Sequence, residues 1–449
     1  MDGNIKIAVP EKAGHILKKL QAAGFEAYVV GGCVRDSILG REPQDWDITT
    51  SARPEQVKEM FPRTVDTGLK HGTVTVMQGG EGFEVTTYRI DGKYEDGRHP
   101  SEVTFTSNLW RDLRRRDFTI NAMAYNDEKG LVDYYGGLED MEIGVIRCVG
   151  YPEERFQEDA LRMLRAVRFA AQLGYHIDFY TMKGIRKLAP NLKKISAERI
   201  QAELVKIMVS PHPDFLRGAY KMGITRVILP ELDRAMETEQ NHPHHIYTVG
   251  EHILRSARYV EPERILRLTM LLHDIGKPDT LTVDKDGITH FYGHAKVSAD
   301  RAREILRRLK VDNDTVSMVC RLVLYHDYGN DLDPDERTVR RAINKIGEDA
   351  FPLLLQVKYA DICAQSAYLR EEKLERLERW KQLYAEVIGK RQCVTLKDLA
   401  VTGSDLIAAG MKPGKELGDM LQELLQLVLD DPSCNTREKL LTEAEKLMN

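Results

Sequence analysis

The chain lacks any paired-cysteine pattern. Its six cysteines, Cys33, Cys148, Cys320, Cys363, Cys393 and Cys434, are scattered through 449 residues with no Cys-x-x-Cys spacing. That excludes a zinc knuckle and a disulfide scaffold, and a cytoplasmic location is expected. No run approaches the ~20 apolar residues of a membrane span, and the first residues lack the apolar core of a signal peptide, so no membrane contact is expected. Excess positive charge is missing too: 65 Lys+Arg against 70 Asp+Glu leave a net charge of −5, so any RNA contact must be regional. Internal repeats and low-complexity segments are absent. What remains is an ordinary soluble balance over a length that exceeds one core, so more than one domain is expected.

The first stretch that carries chemistry is GGCVRDSILGREPQDWDITT, from Gly31 to Thr50. The apolar run Ala27 to Val30 before it predicts a buried strand, Gly31-Gly32 a turn, and Val34 to Leu39 a short helix. Asp45-Trp46-Asp47 leads into a second strand-like run, whose alternation is expected to put both carboxylates on one face. Mg²⁺ takes one or two carboxylates and completes its shell with water and phosphate oxygens, so this pair suits a nucleotide-handling site. The glycines let backbone N–H groups approach a phosphate with no Cβ in the way.

Further on, Pro54 to Met60 predicts a helix with Ser51 as its cap, and Thr73–Met77 and Phe83–Arg89 predict half-buried strands. Glu84 on the second of these is the candidate third carboxylate; the alternative is a solvent-facing strand residue. Arg89 to Thr104 is polar and glycine-punctuated and reads as a mobile loop. Arg114, Arg115, Arg116 and Asp117 follow: guanidinium groups fork onto triphosphate oxygens and the aspartate can accept from a ribose hydroxyl, or the run is a solvated helix end. Asp133 to Met141 reads as a turn out of the sheet region.

From Tyr151 onward helical spacing dominates. Glu158 to Phe169 predicts one helix with Leu161, Leu164 and Val167 as its apolar stripe and Asp159, Arg162 and Arg165 along one face. An intrahelical salt bridge is one meaning of that spacing. The other is base reading. Cytosine and adenine present an amine donor beside a ring-nitrogen acceptor, and a carboxylate beside a guanidinium complements them and mismatches guanine and uracil.

Histidines then cluster: eight of 13 lie between His242 and His326. The order His252, His273-Asp274, His294, His326 on helical stretches offers imidazole and carboxylate ligands to a divalent transition metal. His242, His244 and His245 stand before this series without an assigned role. Residues after about 371 are helical and highly charged, and Gly410-Met-Lys-Pro-Gly414 reads as an interhelical turn where Lys412 and Lys415 either grip an RNA backbone or serve the turn alone.

Gly31, Gly32, Arg35, Asp36, Asp45 and Asp47 together resemble the first signature of the polymerase-β-type nucleotidyltransferases, specifically the bacterial class II tRNA CCA-adding enzymes and poly(A) polymerases. RRDFTINA resembles the family's second signature, with Arg116 and Asp117 as the nucleotide-handling pair; Glu158, Asp159 and Arg162 match its base-reading motif, and Ile195 to Glu203 a supporting neck helix. The histidine series resembles the HD phosphohydrolase superfamily. The resemblance implies an α+β protein: a mixed-sheet nucleotidyltransferase head over 1–150, an all-α neck over 151–215, an HD-domain body over 216–370 and an RNA-binding tail over 371–449. It implies Gly31, Gly32, Arg35, Arg116, Asp117, Asp159, Arg162 and Arg165 as nucleotide-binding, and Asp45, Asp47 and Glu84 as catalytic with Mg²⁺. It places a second divalent-metal site at His252, His273, Asp274, His294, His326 and Asp361. The expected activity is two-metal transfer of CMP and AMP from CTP and ATP to the tRNA 3′ end. A poly(A) polymerase, an A-adding enzyme, a phosphohydrolase with a degenerate head, and a non-catalytic RNA-binding module are the alternatives.

Overall fold

The computed structural model describes residues 5–92 and 103–448. The chain divides into two compact units, Met1–Pro230 and Glu231–Asn449. Among the described residues no helix is long and apolar enough to cross a membrane.

The first unit opens with α1 (Glu11–Ala22), β1 (Ala27–Val30), α2 (Gly32–Ile38), β2 (Ile48–Thr50), α3 (Pro54–Met60) and β3 (Thr64–Gly68). It continues with β4 (Thr73–Gln78), β5 (Glu81–Thr87), β6 (Arg89–Asp91), β7 (Val103–Phe105), α4 (Leu109–Arg114), β8 (Met123–Asn126) and β9 (Gly130–Asp133). Helices then take over: α5 (Gly137–Glu142), α6 (Pro152–Glu158), α7 (Leu161–Leu173), α8 (Phe179–Leu188) and α9 (Ala197–Met208). Seven strands form one mixed sheet in the order β3-β4-β5-β2-β1-β8-β9, in which the β2–β5 pairing is parallel. Every residue of β1 is buried, as its unbroken apolar run requires of a central strand. Against the sheet, α1 buries Ala13, Ile16, Leu17 and Leu20, spaced i, i+3, i+4 and i+7 along one helical face.

Three local expectations fail, and a fourth meets the described residues only at its two ends. Asp45, Trp46 and Asp47 precede β2 instead of lying on it, so strand alternation does not orient them. Ser51 does not cap α3; its hydroxyl accepts from the Glu26 N–H at 2.9 Å, and the Gln56 side chain reaches back to the Arg53 N–H at 2.8 Å. The polar run after Arg89 begins and ends in a ribbon, β6 with β7, and residues 93–102 between them lie outside the described residues. Glu158 to Phe169 is not one helix: α6 stops at Glu158, Asp159 is extended, and α7 starts at Leu161.

The second unit is helical apart from a short antiparallel ribbon, Thr282–Val283 with Thr289–His290. One core gathers Leu322, Val339, Ile343, Phe351, Leu354 and Trp380; another, around Leu406, Leu424, Val428 and Leu440, closes the last helices. The Gly410–Gly414 stretch is an interhelical turn between Gly403–Ala408 and Lys415–Asp430, with both glycines at positive φ.

Candidate functional site

The turn after β1 puts Gly31 at φ +84°, a conformation glycine adopts without strain. An added Cβ would stand 3.0 Å from Arg116 Nη1, so the missing side chain is what lets that guanidinium approach the turn. Gly32 opens α2. Asp47, though outside β2, is tied to the same place because its carbonyl accepts from the Val30 N–H at 3.0 Å. Glu84 arrives on β5, where the parallel register sets Ile48 against Val85 and so Asp47 beside Glu84. Asp47 is exposed by area yet surrounded by enough protein to lose hydration; that desolvation raises its carboxyl, Arg116 opposes, and Asp45 adds to the rise. Glu84 is raised by desolvation and then by Asp47 and Asp45. Like charges held together in this way suit a divalent cation.

A residue that the sequence reading passed over steadies β2. Asp112 is fully buried, accepts from Thr49 Oγ1 at 3.0 Å, from Arg115 Nε at 2.9 Å and from the Arg89 N–H at 3.2 Å, and so joins β2, β6 and α4. A lone acid in an arginine-rich helix gives no hint of this.

Arg35 is engaged within the protein: Nε and Nη2 each donate to the Asp36 carboxylate at 2.9 Å, and Nη1 donates to Asn121 Oδ1 at 2.6 Å. Asp117 is buried; Arg165 reaches it from α7 at 2.6 Å, and the Asn121 amide and Phe118 N–H also donate to it. Burial alone would raise the Asp117 carboxyl, but Arg165 and Arg162 more than offset it and hold the group well below the usual range. The run after α4 is therefore a buried ion-pair network, not a solvated helix end.

The break between α6 and α7 re-pairs the expected base reader. Asp159 does not face Arg162: its Oδ1 caps the Leu161 N–H at 2.9 Å and its Oδ2 accepts from Arg199 of α9 at 2.7 Å. Arg162 donates to Glu158 Oε2 at 2.6 Å and to the Arg115 carbonyl at 3.1 Å, and Arg165 turns to Asp117. Arg199 was missed because it lies 40 residues from its partner.

The histidine series converges in the second unit. His252 sits on the Val249–Ser256 helix, His273 and Asp274 follow Arg264–Leu272, and Asp361 is on Phe351–Ala364. His294 starts the His294–Arg308 helix and His326 follows Asn313–Tyr325. Two groups of ligand atoms result, each within 4.8 Å: His252, His273, Asp274 and Asp361, and Asp274, His294 and His326. Asp274 is shared. Its Oδ2 lies 3.6 Å from His252 Nε2 and 3.4 Å from His273 Nε2, its Oδ1 3.3 Å from His294 Nε2 and 3.5 Å from His326 Nε2.

Backbone carbonyls orient the rings: Met270 O, Phe291 O and Val323 O lie 2.7–2.8 Å from Nδ1 of His273, His294 and His326. With Nδ1–H donating outward, each Nε2 lone pair points at a carboxylate, a clash of acceptors that only a proton or a cation relieves. Accordingly, despite burial, Asp274 and Asp361 push the His273 imidazolium up to about 10, and Asp274 and Asp327 push His294 up to about 9. Asp274 Oδ1 is buried without a hydrogen bond, which fits a place for a metal ion. Asp327, unassigned in the sequence, puts Oδ2 3.0 Å from His294 Nε2 and Oδ1 3.3 Å from His326 Nε2.

The mixed sheet with carboxylates at a glycine turn, followed by helices, is the architecture of a nucleotidyltransferase head on an α-helical body. Residues 27–147 match the poly A polymerase head domain, 174–236 the probable RNA- and SrmB-binding site of polymerase A, and 280–444 the putative tRNA nucleotidyltransferase domain 2. The CCA-adding enzyme of Limosilactobacillus reuteri is 34% identical, with 98% of this chain and 97% of that one covered. That of Lactobacillus helveticus is 35% identical, with 97% of each covered. Among solved structures, the Bacillus stearothermophilus CCA-adding enzyme in complex with CTP aligns at TM-score 0.72 and 28% identity, over 98% of this chain and 97% of that one. The Thermotoga maritima CCA-adding enzyme complexed with tRNA_CCA, at TM-score 0.64 and 21% identity over 98% and 97%, shares the fold. The chain belongs to the CCA-adding enzyme family.

Proposed function

We propose that this chain adds CMP and then AMP, from CTP and ATP, to the 3′ end of tRNA in the cytoplasm. The observation that carries the reading is the meeting of Asp45, Asp47 and Glu84 beside Gly31 and Arg116, where desolvation first, and the neighbouring carboxylates after it, raise Asp47 and Glu84. Asp45 and Asp47, with Glu84, would hold Mg²⁺; when bound, Mg²⁺ activates the tRNA 3′-hydroxyl and neutralises the departing pyrophosphate. Arg116 supplies a cation at the turn for the triphosphate, Asp117 holds Arg165 in place, and Arg35 braces α2 against Asn121. Asp159 and Arg162, held by Arg199 and Glu158, present the acceptor and the donors that complement cytosine and adenine and mismatch guanine and uracil. On this reading residues 1–150 transfer, 151–215 select the base, 216–370 carry the histidine centre and 371–449, with Lys412 and Lys415, contact RNA. The test is incorporation on transcripts ending at the discriminator base, at CC and at CCA, with CTP and ATP singly and together. CC, one A and a stop is expected and is lost in Asp45→Ala; A alone on CC ends, or long A tails, would move the assignment to an A-adding enzyme or a poly(A) polymerase.

A second activity follows from the opposed acceptors around Asp274: a phosphohydrolase that uses a divalent transition metal on phosphorylated or cyclic-phosphate 3′ ends. His252, His273, Asp274 and Asp361 would hold one ion and Asp274, His294 and His326 another. If added divalent metal gives no phosphatase activity and His273→Ala changes nothing, the cluster is structural.

A further inference from the structure

The histidine centre opens into a cavity of about 560 Å³ whose lining includes residues that neither activity uses, among them His242, His244, His290 and Tyr292. Their rings form one continuous row. Tyr368 meets His244 at 5.0 Å between centroids, His244 meets His242 at 5.0 Å, His242 meets His290 at 6.3 Å, and His290 stacks on Tyr292 at 5.3 Å with the planes 8° apart. Both ends of the row are in solvent: Tyr368 is 52% exposed and Tyr292 76%. Exposed tyrosines that close a line of rings are not needed for a core.

The row is held rigid. Lys373 Nζ stands 3.0 Å from His244 Nδ1 and donates to Gln365, which in turn donates to Asp361. His290 is fixed by Asp284 at 2.8 Å and by pairing in the Thr282–Val283 ribbon. A single residue, Gly293, separates Tyr292 from His294, so one segment carries both the exposed ring and a member of the centre. Lys373 and Arg376 also line the cavity, as do Asp331 and Glu372, while Lys277 is paired with Asp274 at 2.8 Å.

We infer that this ridge is a stacking platform for single-stranded RNA, with the strand's end directed into the histidine–aspartate cavity. Rings in series with cations alongside are what unpaired bases and their phosphates require, since every base has a π face and the cations meet the backbone. A duplex keeps its bases stacked on each other and leaves none for the ridge, and an apolar peptide would find few aliphatic side chains to anchor on. Only what the RNA end meets inside rests on the phosphohydrolase reading; the platform does not.

The test uses the full chain, a fluorescein-labelled hexauridylate and anisotropy in EDTA, so that metal plays no part; uridylate mismatches the base reader of the head. Tyr292→Ala and Tyr368→Ala should each weaken binding about tenfold, Tyr292→Phe by less than about twofold, and a duplex of the same length should bind no better than the alanine variants do. Hexauridylate bound equally by the parent and both alanine variants, or a duplex bound as tightly as the single strand, overturns the platform. Metal analysis separates the two ideas. His273→Ala should lose metal and keep hexauridylate affinity, whereas a parent chain that takes up no divalent metal while Tyr292→Ala still loses RNA would sink the phosphohydrolase alone.

Discussion

Arg199 Nη2 donates to Asp159 Oδ2 at 2.7 Å, across 40 residues of chain, while Arg162 is taken by Glu158. The acceptor of the proposed base reader is thus held by a different helix from the one that follows it. A charge-assisted bond of this kind contributes roughly 1.5–3 kcal/mol. Arg199→Ala should lower kcat/KM for CTP and ATP about tenfold and narrow the preference for CTP over UTP, with partial recovery in Arg199→Lys, which keeps the charge but loses the planar fork. Steady-state incorporation with each nucleotide measures both. An unchanged preference would mean that α7 alone positions Asp159.

Removing Arg165 should expose how much of the first unit rests on one ion pair. Asp117 would stay buried with the Asn121 amide, the Phe118 N–H and the more distant Arg162. Arg165→Met should cost about 3 kcal/mol at neutral pH, the low end for breaking a buried pair because Arg165 is one-third exposed. The pH dependence has a definite sign. The folded Asp117 carboxyl is depressed, so its contribution is complete above the unfolded value near ~3.9 and is lost as pH falls through the folded value. The stability gap between parent and variant, read from urea unfolding, should therefore shrink below about pH 4. A gap that is constant from pH 7 to acid would assign the loss to packing.

Gly31→Ala tests the approach of Arg116 to the glycine turn. At φ +84° and 3.0 Å from Arg116 Nη1, the new methyl strains the backbone by about 1 kcal/mol and displaces the guanidinium. Incorporation should fall far more than thermal stability. Equal losses would mean that the turn is structural only.

Punctuation explains which parts were readable in advance. The β1 run, the glycine turn, α2 and the Pro54–Met60 helix follow from local pattern, since an apolar run, a Gly pair and a proline act within a few residues. The break at Asp159 has no such signal: Ala160 and Leu161 are good helix formers, and the kink is sustained by Arg199 and by the cap that Asp159 gives to Leu161. Ser51 was a plausible cap until the Glu26 N–H across the sheet claimed its hydroxyl. The histidine centre could be read because imidazoles are sparse and ordered, yet Asp327 passed unnoticed beside His326 because its role depends on His294 from another helix.

Asp274 offers the sharpest test of that centre, because its two oxygens face different groups: Oδ2 faces His252 and His273, Oδ1 faces His294 and His326. The parent and two losses of ligand should then give three metal contents. Purified chain loaded with Mn²⁺ or Ni²⁺, desalted and analysed by plasma mass spectrometry should hold two ions. His294→Ala, which spoils only the group that includes Oδ1, should hold one. Asp274→Asn, which weakens both groups at once, should hold fewer than His294→Ala. Lys277 complicates the substitution in one direction only: its ammonium, 2.8 Å from Oδ2, would lose its carboxylate and add unpaired positive charge that opposes either ion further. No bound metal in the parent and in Asp274→Asn alike would show that the converging atoms are a protonated hydrogen-bond network, held together by the high affinity of His273 and His294 for a proton.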